Sequence, residues 1–276
     1  MFIIKYKKFF LAFSLILVLG SIVTSIVLGL NIGIDFKGGS EMEIRYNNTP
    51  RPEQTNLEKI ITDIGISPVH IQQLGENSYT IKTRDITTAE HSAIVTVLGV
   101  GQNGIEETGF NSIGSSVGHE LTRKSFMAIT IVIIWIVLYI AFAFRKVSKP
   151  VSSWKYGLIA ITTLIHDIAI PTGLFAILGR TNNAELDVLF VTAILTVLGL
   201  SVSDTIVVFD RIRENLKKHH GDTFSSIVGK SLKETFVRSI STSLTVILAL
   251  LAVYLFGPVS TKNFALVLIT GMFFGT

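Results

Sequence analysis

The chain of 276 residues contains no cysteine, few charged residues and little proline. The absence of cysteine excludes a disulfide framework, thiol catalysis, and any zinc or iron–sulfur site built on cysteine. Lys, Arg, Asp and Glu make up 16% of the residues, against about 25% in an average soluble domain. The apolar residues are collected in long runs, and the mean hydropathy is +0.56. This distribution excludes a disordered chain, a coiled coil and an ordinary soluble enzyme, and it predicts a membrane protein.

Five apolar runs are long enough to cross a bilayer core of about 30 Å. They are Phe9–Leu30, Phe126–Phe144, Tyr156–Leu178, Val188–Phe209 and Ser239–Gly257. We interpret the first run as an uncleaved anchor, because the apolar core of a signal peptide is shorter, about 7–15 residues. A sixth run begins at Asn263, and the sequence stops at Thr276. The fold class is therefore predicted to be a polytopic helical membrane protein of six spans, the last one cut short.

Lysine and arginine are concentrated on one side of these runs. The N-terminus, the loop 145–155 and the loop 210–238 are rich in them, whereas the loops on the other side carry one each, Arg180 and Lys262. The positive-inside rule places the basic side in the cytoplasm. The predicted domains are then 1–30 (cytoplasmic N-terminus and first span), 31–125 (external) and 126–276 (membrane domain with spans two to six). A basic surplus confined to such loops argues against nucleic-acid binding, which we do not expect.

The external segment 31–125 holds 12 of the 20 acidic residues and 8 of the 24 basic ones. Its periodicity predicts a small α+β domain of ferredoxin-like β-α-β-β-α-β order. The predicted elements are Ser40–Tyr46, Pro52–Asp63, Val69–Leu74, Tyr79–Thr83, Thr87–Leu98 and Ile105–Ile113. No nucleophile–base pair or metal-ligand cluster appears in it, and His70 and His91 are isolated. The pattern indicates a domain that binds rather than catalyses, so we predict neither an enzyme nor a metal site.

A glycine-rich segment, GIDFKGG at 33–39, stands directly after the first span. Three glycines around one aspartate and one phenylalanine predict a tight chain reversal with unusual backbone dihedrals. Taken alone, the segment favours a structural turn over a binding loop.

Two aspartates, Asp167 and Asp204, are the only acidic residues within the spans. An aspartate at the centre of a membrane helix costs about 2.5–3.5 kcal/mol on insertion scales, so each one requires a reason. Antiparallel packing of spans four and five predicts that Asp204 and Arg238 lie at similar depth, where protonation of the carboxylate would release the arginine. A static salt bridge, or an aspartate close enough to the interface to stay hydrated, is the alternative.

His166 and Asp167 lie near the midpoint of the third span, where functional and structural interpretations are equally open. Adjacent residues of a helix point about 100° apart, so these two cannot both face one partner. Pro171, four residues after Asp167, is expected to free a backbone carbonyl there.

The segment Thr223–Phe236 carries apolar residues at steps of four and a polar face with Lys230 and Lys233. This pattern predicts a separate helix that lies on the membrane surface.

Three segments resemble the SecF family of protein-export membrane proteins, and the resemblance covers essentially the whole chain. They are GIDFKGG at 33–39, GLSVSDTIVVFDRIREN at 199–215 and RSISTSLT at 238–245. The first contributes the structural motif Gly33, Asp35, Phe36, Gly38 and Gly39. Asp204 and Arg238 match the proton-pathway residues of the family, whereas the resemblance assigns no role to His166 and Asp167, which we include in the pathway as candidates.

The resemblance implies an accessory subunit of the Sec export machinery. Such a subunit pairs with SecD, works beside the SecYEG channel and its small subunits, and uses the proton-motive force to complete export of unfolded preproteins. It resides among the lipids of the plasma (cell inner) membrane and needs no cofactor other than protons; no phosphate-binding loop appears in the sequence. Two alternatives stay open: a proton-driven exporter of lipids or small molecules, and an assembly subunit that transduces no energy.

Overall fold

A computed structural model of the chain describes residues 2–47, 50–102, 104–144, 153–218 and 222–276. Its contacts divide the chain into two compact units, Met1–Asn31 with Met127–Thr276, and Ile32–Phe126. The basic residues Arg145, Lys146 and Lys149 of the predicted loop 145–155 lie outside the described residues. In chain order the elements are α1 (Phe2–Lys5), α2 (Lys7–Leu28), α3 (Ile34–Lys37), β1 (Gly39–Tyr46), α4 (Gln54–Asp63), β2 (Val69–Leu74), β3 (Ser78–Thr83), α5 (Thr88–Val97), β4 (Ile105–Ile113), α6 (Ser115–Ala143), α7 (Ser153–Thr181), α8 (Val188–Lys218), α9 (Phe224–Phe256) and α10 (Val259–Gly275).

Five helices, α2 and α6 to α9, are long and apolar enough to cross a membrane. Each covers one of the five predicted spans, three of which end one or two residues past the helix, and every helix extends beyond its apolar run at one end or both. The sixth run forms α10, which begins at Val259 rather than at Asn263 and has 17 residues. The chain is therefore a multi-pass helical membrane protein, as predicted.

The predicted surface helix Thr223–Phe236 is wrong as a separate element. The segment is the first part of α9, which runs without a break from Phe224 to Phe256. No proline interrupts this stretch, so the backbone hydrogen-bond ladder continues from the polar part into the span. The buried positions are Ile227, Ser231 and Thr235, whereas Phe224 and Phe236 are exposed. The apolar stripe seen in the sequence is thus not the face that packs.

Helix α8 forms the centre of the membrane unit. It packs against α7, α9 and α10, and its residues Ala193, Ile194, Val197 and Leu198 are at most 2% exposed. Helix α2 packs against α7, and the chain just beyond α2 is tied to the end of α7. There the Asn31 side-chain amide donates to the Gly179 carbonyl over 2.8 Å.

The second unit is the predicted β-α-β-β-α-β arrangement. Its four strands form one antiparallel sheet in the order β2-β3-β1-β4. Alternate residues of β1 and β3 enter one core together with residues of α4 and α5, in keeping with the period of two in a strand. This core contains Met42, Ile44, Leu57, Ile61, Tyr79, Ile81 and Ile94.

The glycine-rich segment forms the short helix α3 and then turns into β1. Gly38 and Gly39 have φ angles of 78° and 143°, whereas Gly33 has an ordinary φ of −70°. A Cβ on Gly38 would lie 2.7 Å from the Cα of Ser115. The backbone approach and the dihedral angle both require glycine at this position.

Candidate functional site

Asp167 is buried where three membrane helices meet. The residue is 2% exposed, and its Oδ2 accepts a hydrogen bond from the Ser201 hydroxyl of α8. Its Oδ1 lies 2.9 Å from Nδ1 of His166 on the same helix. A Cβ on Gly275 of α10 would lie 3.2 Å from Oδ1, so the α10 backbone closes the third side. A carboxylate buried in this way is retained only when hydrogen bonds compensate its lost hydration.

The backbone of α7 is locally weakened next to Asp167. Pro171 lies inside the helix, and it lacks the N–H that would bond the Asp167 carbonyl four residues earlier. Helix α7 can therefore adjust at the depth of the carboxylate more easily than a regular helix.

Asp204 is half-buried and lines a small cavity of about 50 Å³ between α8, α9 and α10, with both apolar and polar residues around it. Its polar neighbours around this cavity are Ser201, Ser203, Thr242, Ser243 and Thr276. Two of them, Ser243 and Thr276, are joined by a hydrogen bond of 2.5 Å between their hydroxyls. A cavity of this volume has room for one or two water molecules, which the carboxylate and the hydroxyls can bind.

Arg238 lines a different and larger cavity of about 530 Å³. Among the described residues, no nitrogen of Arg238 comes within the 4.0 Å of the Asp204 carboxylate that an ion pair requires. The predicted pairing of the two side chains is thus not formed in this structure. The reason is an offset along α9: Asp204 shares its cavity with Thr242 and Ser243. Arg238 comes four and five residues before them, about 6–7.5 Å away along the helix axis.

Beyond the apolar part of α8, a polar network joins its end to the start of α9. Arg211 bonds Glu234 through Nε at 2.7 Å and Glu214 through Nη1 at 2.5 Å. The buried Asn215 donates to Ser231 at 3.0 Å and to Glu234 at 2.9 Å. The bonds to Glu234 and Ser231 join the two helices beside the apolar contacts of Ile212, Leu216 and Val228.

Sequence reasoning missed the bond from Ser201 to Asp167 and this network. Ser201 lies three residues before Asp204, so both are on one face of α8. This spacing was the available signal that Ser201 belongs to the site. The network had a weaker signal in the polar residues at steps of three and four near the ends of both helices. In the other unit, His91 is not isolated, because it lies 3.2 Å from Glu107 and stacks on Phe110.

Within the part of the chain that the structure describes, no three His, Cys, Asp or Glu side chains gather as metal ligands would. The membrane site offers titratable and hydroxyl side chains. It contains two carboxylates, one imidazole and several hydroxyls, all between packed helices.

Two family models match the chain: "Protein export membrane protein SecD/SecF, C-terminal" over residues 92–276 and "SecD/SecF GG Motif" over residues 24–50. A "Protein translocase subunit SecF" of Thermobaculum terrenum is 39% identical, and one of Anaerolinea thermophila is 33% identical; each match covers 99% of this chain and 89% of the relative. A "Protein translocase subunit SecDF" of Bacillus subtilis is 32% identical over 98% of this chain and 35% of its own length.

Two solved structures are similar along the whole chain. A crystal structure of SecDF from Thermus, titled a translocon-associated membrane protein, superposes with a TM-score of 0.86 at 27% identity. A SecDF structure in the "Super-membrane-facing form" gives 0.67 at 28% identity. Each match covers 100% of this chain and 36% of the SecDF chain, so this chain spans about a third of those proteins.

Proposed function

This chain belongs to the SecD/SecF family of protein-export membrane proteins, and we propose that it couples proton movement through its membrane helices to preprotein export. Its role is an accessory one in Sec protein export, a transport role. Proton coupling is the finer proposal. The proposed proton pathway consists of Asp204, Arg238, Asp167 and His166. Protons are the coupling ion, and no other cofactor is proposed.

The surroundings of the protein follow from the same proposal. We place it in the plasma membrane with its N-terminus in the cytoplasm and residues 31–125 outside, because Lys and Arg are concentrated on one side of the spans. Its partner is SecD, since SecDF relatives contain a matching segment within a longer chain. The complex works at the SecYEG channel and its small subunits, and it acts on an unfolded preprotein.

The observation that carries the proposal is the burial of a carboxylate at the junction of three helices. Asp167 is 2% exposed, and an aspartate within a span costs about 2.5–3.5 kcal/mol on insertion scales. A structural salt bridge would explain this cost, but the only cationic partner within 4.0 Å among the described residues is His166, which is itself titratable. A group that gains and loses a proton explains both the placement and the cavity beside Asp204.

The energy available per proton is modest. A membrane potential supplies about 2.3 kcal/mol per elementary charge per 100 mV. This amount is enough to shift a two-state equilibrium of helix packing whose states differ by a few kcal/mol. Arg238, in the larger cavity near the basic side, is proposed to lower the barrier for protons that leave Asp204 on that side.

The test is export of a secretory precursor in cells depleted of the native protein. The cells are complemented with wild type, Asp204→Asn or the control Asp222→Asn, which makes the same chemical change at an exposed residue before α9. Each variant is first shown to reach the membrane and to copurify with SecD in equal amounts. We expect at least a tenfold slower export for Asp204→Asn and wild-type export for Asp222→Asn. Full complementation by Asp204→Asn would reject proton coupling through Asp204. The alternative of an assembly subunit that transduces no energy would then remain.

A further inference from the structure

Ser201 lies between the two carboxylates of the membrane unit. Its hydroxyl donates to Oδ2 of Asp167 on α7, and its side chain also lines the small cavity that Asp204 faces. Ser201 itself is 8% exposed. One hydroxyl thus contacts the buried carboxylate and borders the cavity of the more accessible one.

The spacing along α8 makes this double contact possible. Residues three apart on a helix have Cβ atoms about 5–6 Å apart on the same face. This gap is too long for a direct hydrogen bond between Ser201 and Asp204, but one water molecule bridges it, and the cavity of about 50 Å³ has room for that water. Asp204, water, Ser201 and Asp167 then form a continuous series of proton donors and acceptors.

The charged surroundings of Asp167 are sparse on every helix packed against it. On α7 the neighbouring titratable group is His166, and on α8 it is Asp204. The only charged residue of α10 is Lys262, in its first turn, and α2 carries none after Lys8. Asp167 can therefore exchange a proton with two groups. It contacts His166 directly, and it reaches Asp204 through Ser201.

From this arrangement we propose that Ser201 relays protons between Asp204 and Asp167. The inference rests on the proposed function and adds a residue and an order to it. In the transfer, the Asp204 carboxyl gives its proton to the bridging water, and a proton of that water passes to the Ser201 oxygen. The Ser201 hydroxyl gives its own proton to Asp167 Oδ2 at the same time. Asp204 ends as a carboxylate and Asp167 as a carboxylic acid, while water and serine are unchanged.

The relay explains why the buried aspartate and the accessible aspartate occur together. Asp204 exchanges protons with the cavity, whereas Asp167 touches α8 through Ser201 and α10 through the backbone of Gly275. Neutralising Asp167 weakens its charge-assisted bond with Ser201, because such bonds are roughly twice as strong as neutral ones. Protonation of Asp167 thus changes contacts of α7, α8 and α10 together.

The experiment measures gradient-dependent export in inverted membrane vesicles that contain the full complex with SecD. The rate after addition of a protonophore is subtracted from the rate with an imposed proton gradient. The variants are Ser201→Ala, Ser201→Thr, Asp167→Asn, the double variant Ser201→Ala with Asp167→Asn, and Asp204→Asn. The control is Thr196→Ala, because the Thr196 hydroxyl bonds only the backbone of its own helix, at 2.8 Å, on the exposed side of α8.

We expect Ser201→Ala and Asp167→Asn each to lower the gradient-dependent rate at least tenfold, with the double variant no lower than the single ones. Two residues in one series give losses that do not add. Ser201→Thr, which keeps a hydroxyl, should retain at least half of the rate. Because the rate that persists with protonophore needs no proton transfer, a loss confined to the gradient-dependent rate separates the relay from a packing role. Thr196→Ala should match wild type in both rates.

Three results would overturn the relay, each in a distinct way. If Ser201→Ala keeps the wild-type gradient-dependent rate while Asp204→Asn loses it, the relay is wrong and proton coupling stands. If Ser201→Ala lowers the rates with and without protonophore equally, Ser201 has only a packing role. If Asp204→Asn keeps the full gradient-dependent rate, the proposed function fails, and the relay fails with it.

Discussion

Gly173 of α7 faces Ser21 of α2 so closely that a side chain has no room between them: a Cβ on the glycine would lie 2.5 Å from the Cα of Ser21. None of the residues of α2 is buried within this chain. Its attachment to the rest of the membrane unit therefore depends on close backbone contact with α7, as is common where membrane helices cross at small residues.

Replacing Gly173 by alanine should loosen α2. The nearest atoms include the backbone of Ser21 and not only a flexible side chain, so the helices must separate, at a cost of about 1–3 kcal/mol. The measurement is the melting temperature of the purified complex in detergent, which should fall. The matched control is Gly20→Ala on α2, where a Cβ would meet nothing within 4 Å. An equal melting temperature for Gly173→Ala and wild type would contradict the contact.

Gly38→Ala should destabilise the glycine-rich turn for two separable reasons. Gly38 has φ 78° and ψ 158°, a region that costs about 1–3 kcal/mol for other residues, and its Cβ would also lie 2.7 Å from Ser115. Gly65→Ala is the comparison without a close contact, because Gly65 also has a positive φ, 84°, and a Cβ there would meet nothing within 4 Å.

The two glycine variants are compared by the free energy of unfolding of the full chain in denaturant. Gly38→Ala should lose more free energy of unfolding than Gly65→Ala, because only Gly38 has a close backbone contact. Equal losses of unfolding free energy would show that the contact between position 38 and Ser115 relaxes without cost.

Glu90 makes the helix α5 sensitive to acid. The Arg84 guanidinium, at 2.5 Å, and the Thr87 backbone N–H, at 2.8 Å, hold the pKa of Glu90 at about 2 against an ordinary 4.5. Because the folded-state pKa is the lower one, the ionised side chain stabilises the fold above pH 4.5. This stabilisation is lost as the pH falls from about 4.5 to 2.

Hydrogen exchange of the α5 amides in the full chain tests this dependence. Protection of α5 in wild type should decrease over that pH range more steeply than in Glu90→Gln, which has no charge to lose. Glu76→Gln, at an exposed turn between β2 and β3, is the control and should follow wild type. The same pH profile for wild type and Glu90→Gln would refute the role of the ion pair.

Asn215→Asp should separate the ends of α8 and α9. The Asn215 amide donates to Glu234 at 2.9 Å and to Ser231 at 3.0 Å, and an aspartate would remove this donor and set two carboxylates against each other. Hydrogen bonds to charged groups contribute about 1.5–3 kcal/mol, which is the order of the expected loss.

Spin labels on Lys217→Cys and Ser225→Cys report this separation directly, since the chain has no other cysteine to label. The distance distribution should become broader and longer in Asn215→Asp. Lys233→Gln, which removes an exposed charge from α9, should leave the distribution narrow. A narrow distribution in Asn215→Asp as well would mean that the network does not hold the helices together.

Hydrophobic periodicity predicted the order of the strands and helices because period two and period 3.6 are visible in the residues themselves. It did not predict the full length of α8, since an apolar-run criterion stops near Phe209. The helix continues to Lys218 on a polar surface with an ion pair of 2.5 Å between Glu214 and Lys218. Such pairs support a helix without any change in hydropathy.

The candidate site was predictable in its residues and not in its contacts. An aspartate stands out in an apolar run, so Asp167 and Asp204 were found from the sequence. Which side chain faces which depends on the rotation of each helix and on its offset along its neighbours, and an apolar run shows neither. Arg238 lies four and five residues before the α9 residues that share the Asp204 cavity, and the bond from Ser201 to Asp167 joins two different helices.

Because α8 is one unbroken helix, a small tilt next to the buried Asp167 displaces its distant end. The helix runs from Val188 to Lys218, and Lys218 lies about 25 Å beyond Ser201 at 1.5 Å per residue. A tilt of about 5° at Ser201 therefore displaces that end by about 2 Å, if the helix moves as a rigid rod. The network around Asn215 passes this displacement to α9. If the proposed proton transfer tilts α8 in this way, the loss of one charge at Asp167 moves the end of the helix by about 2 Å.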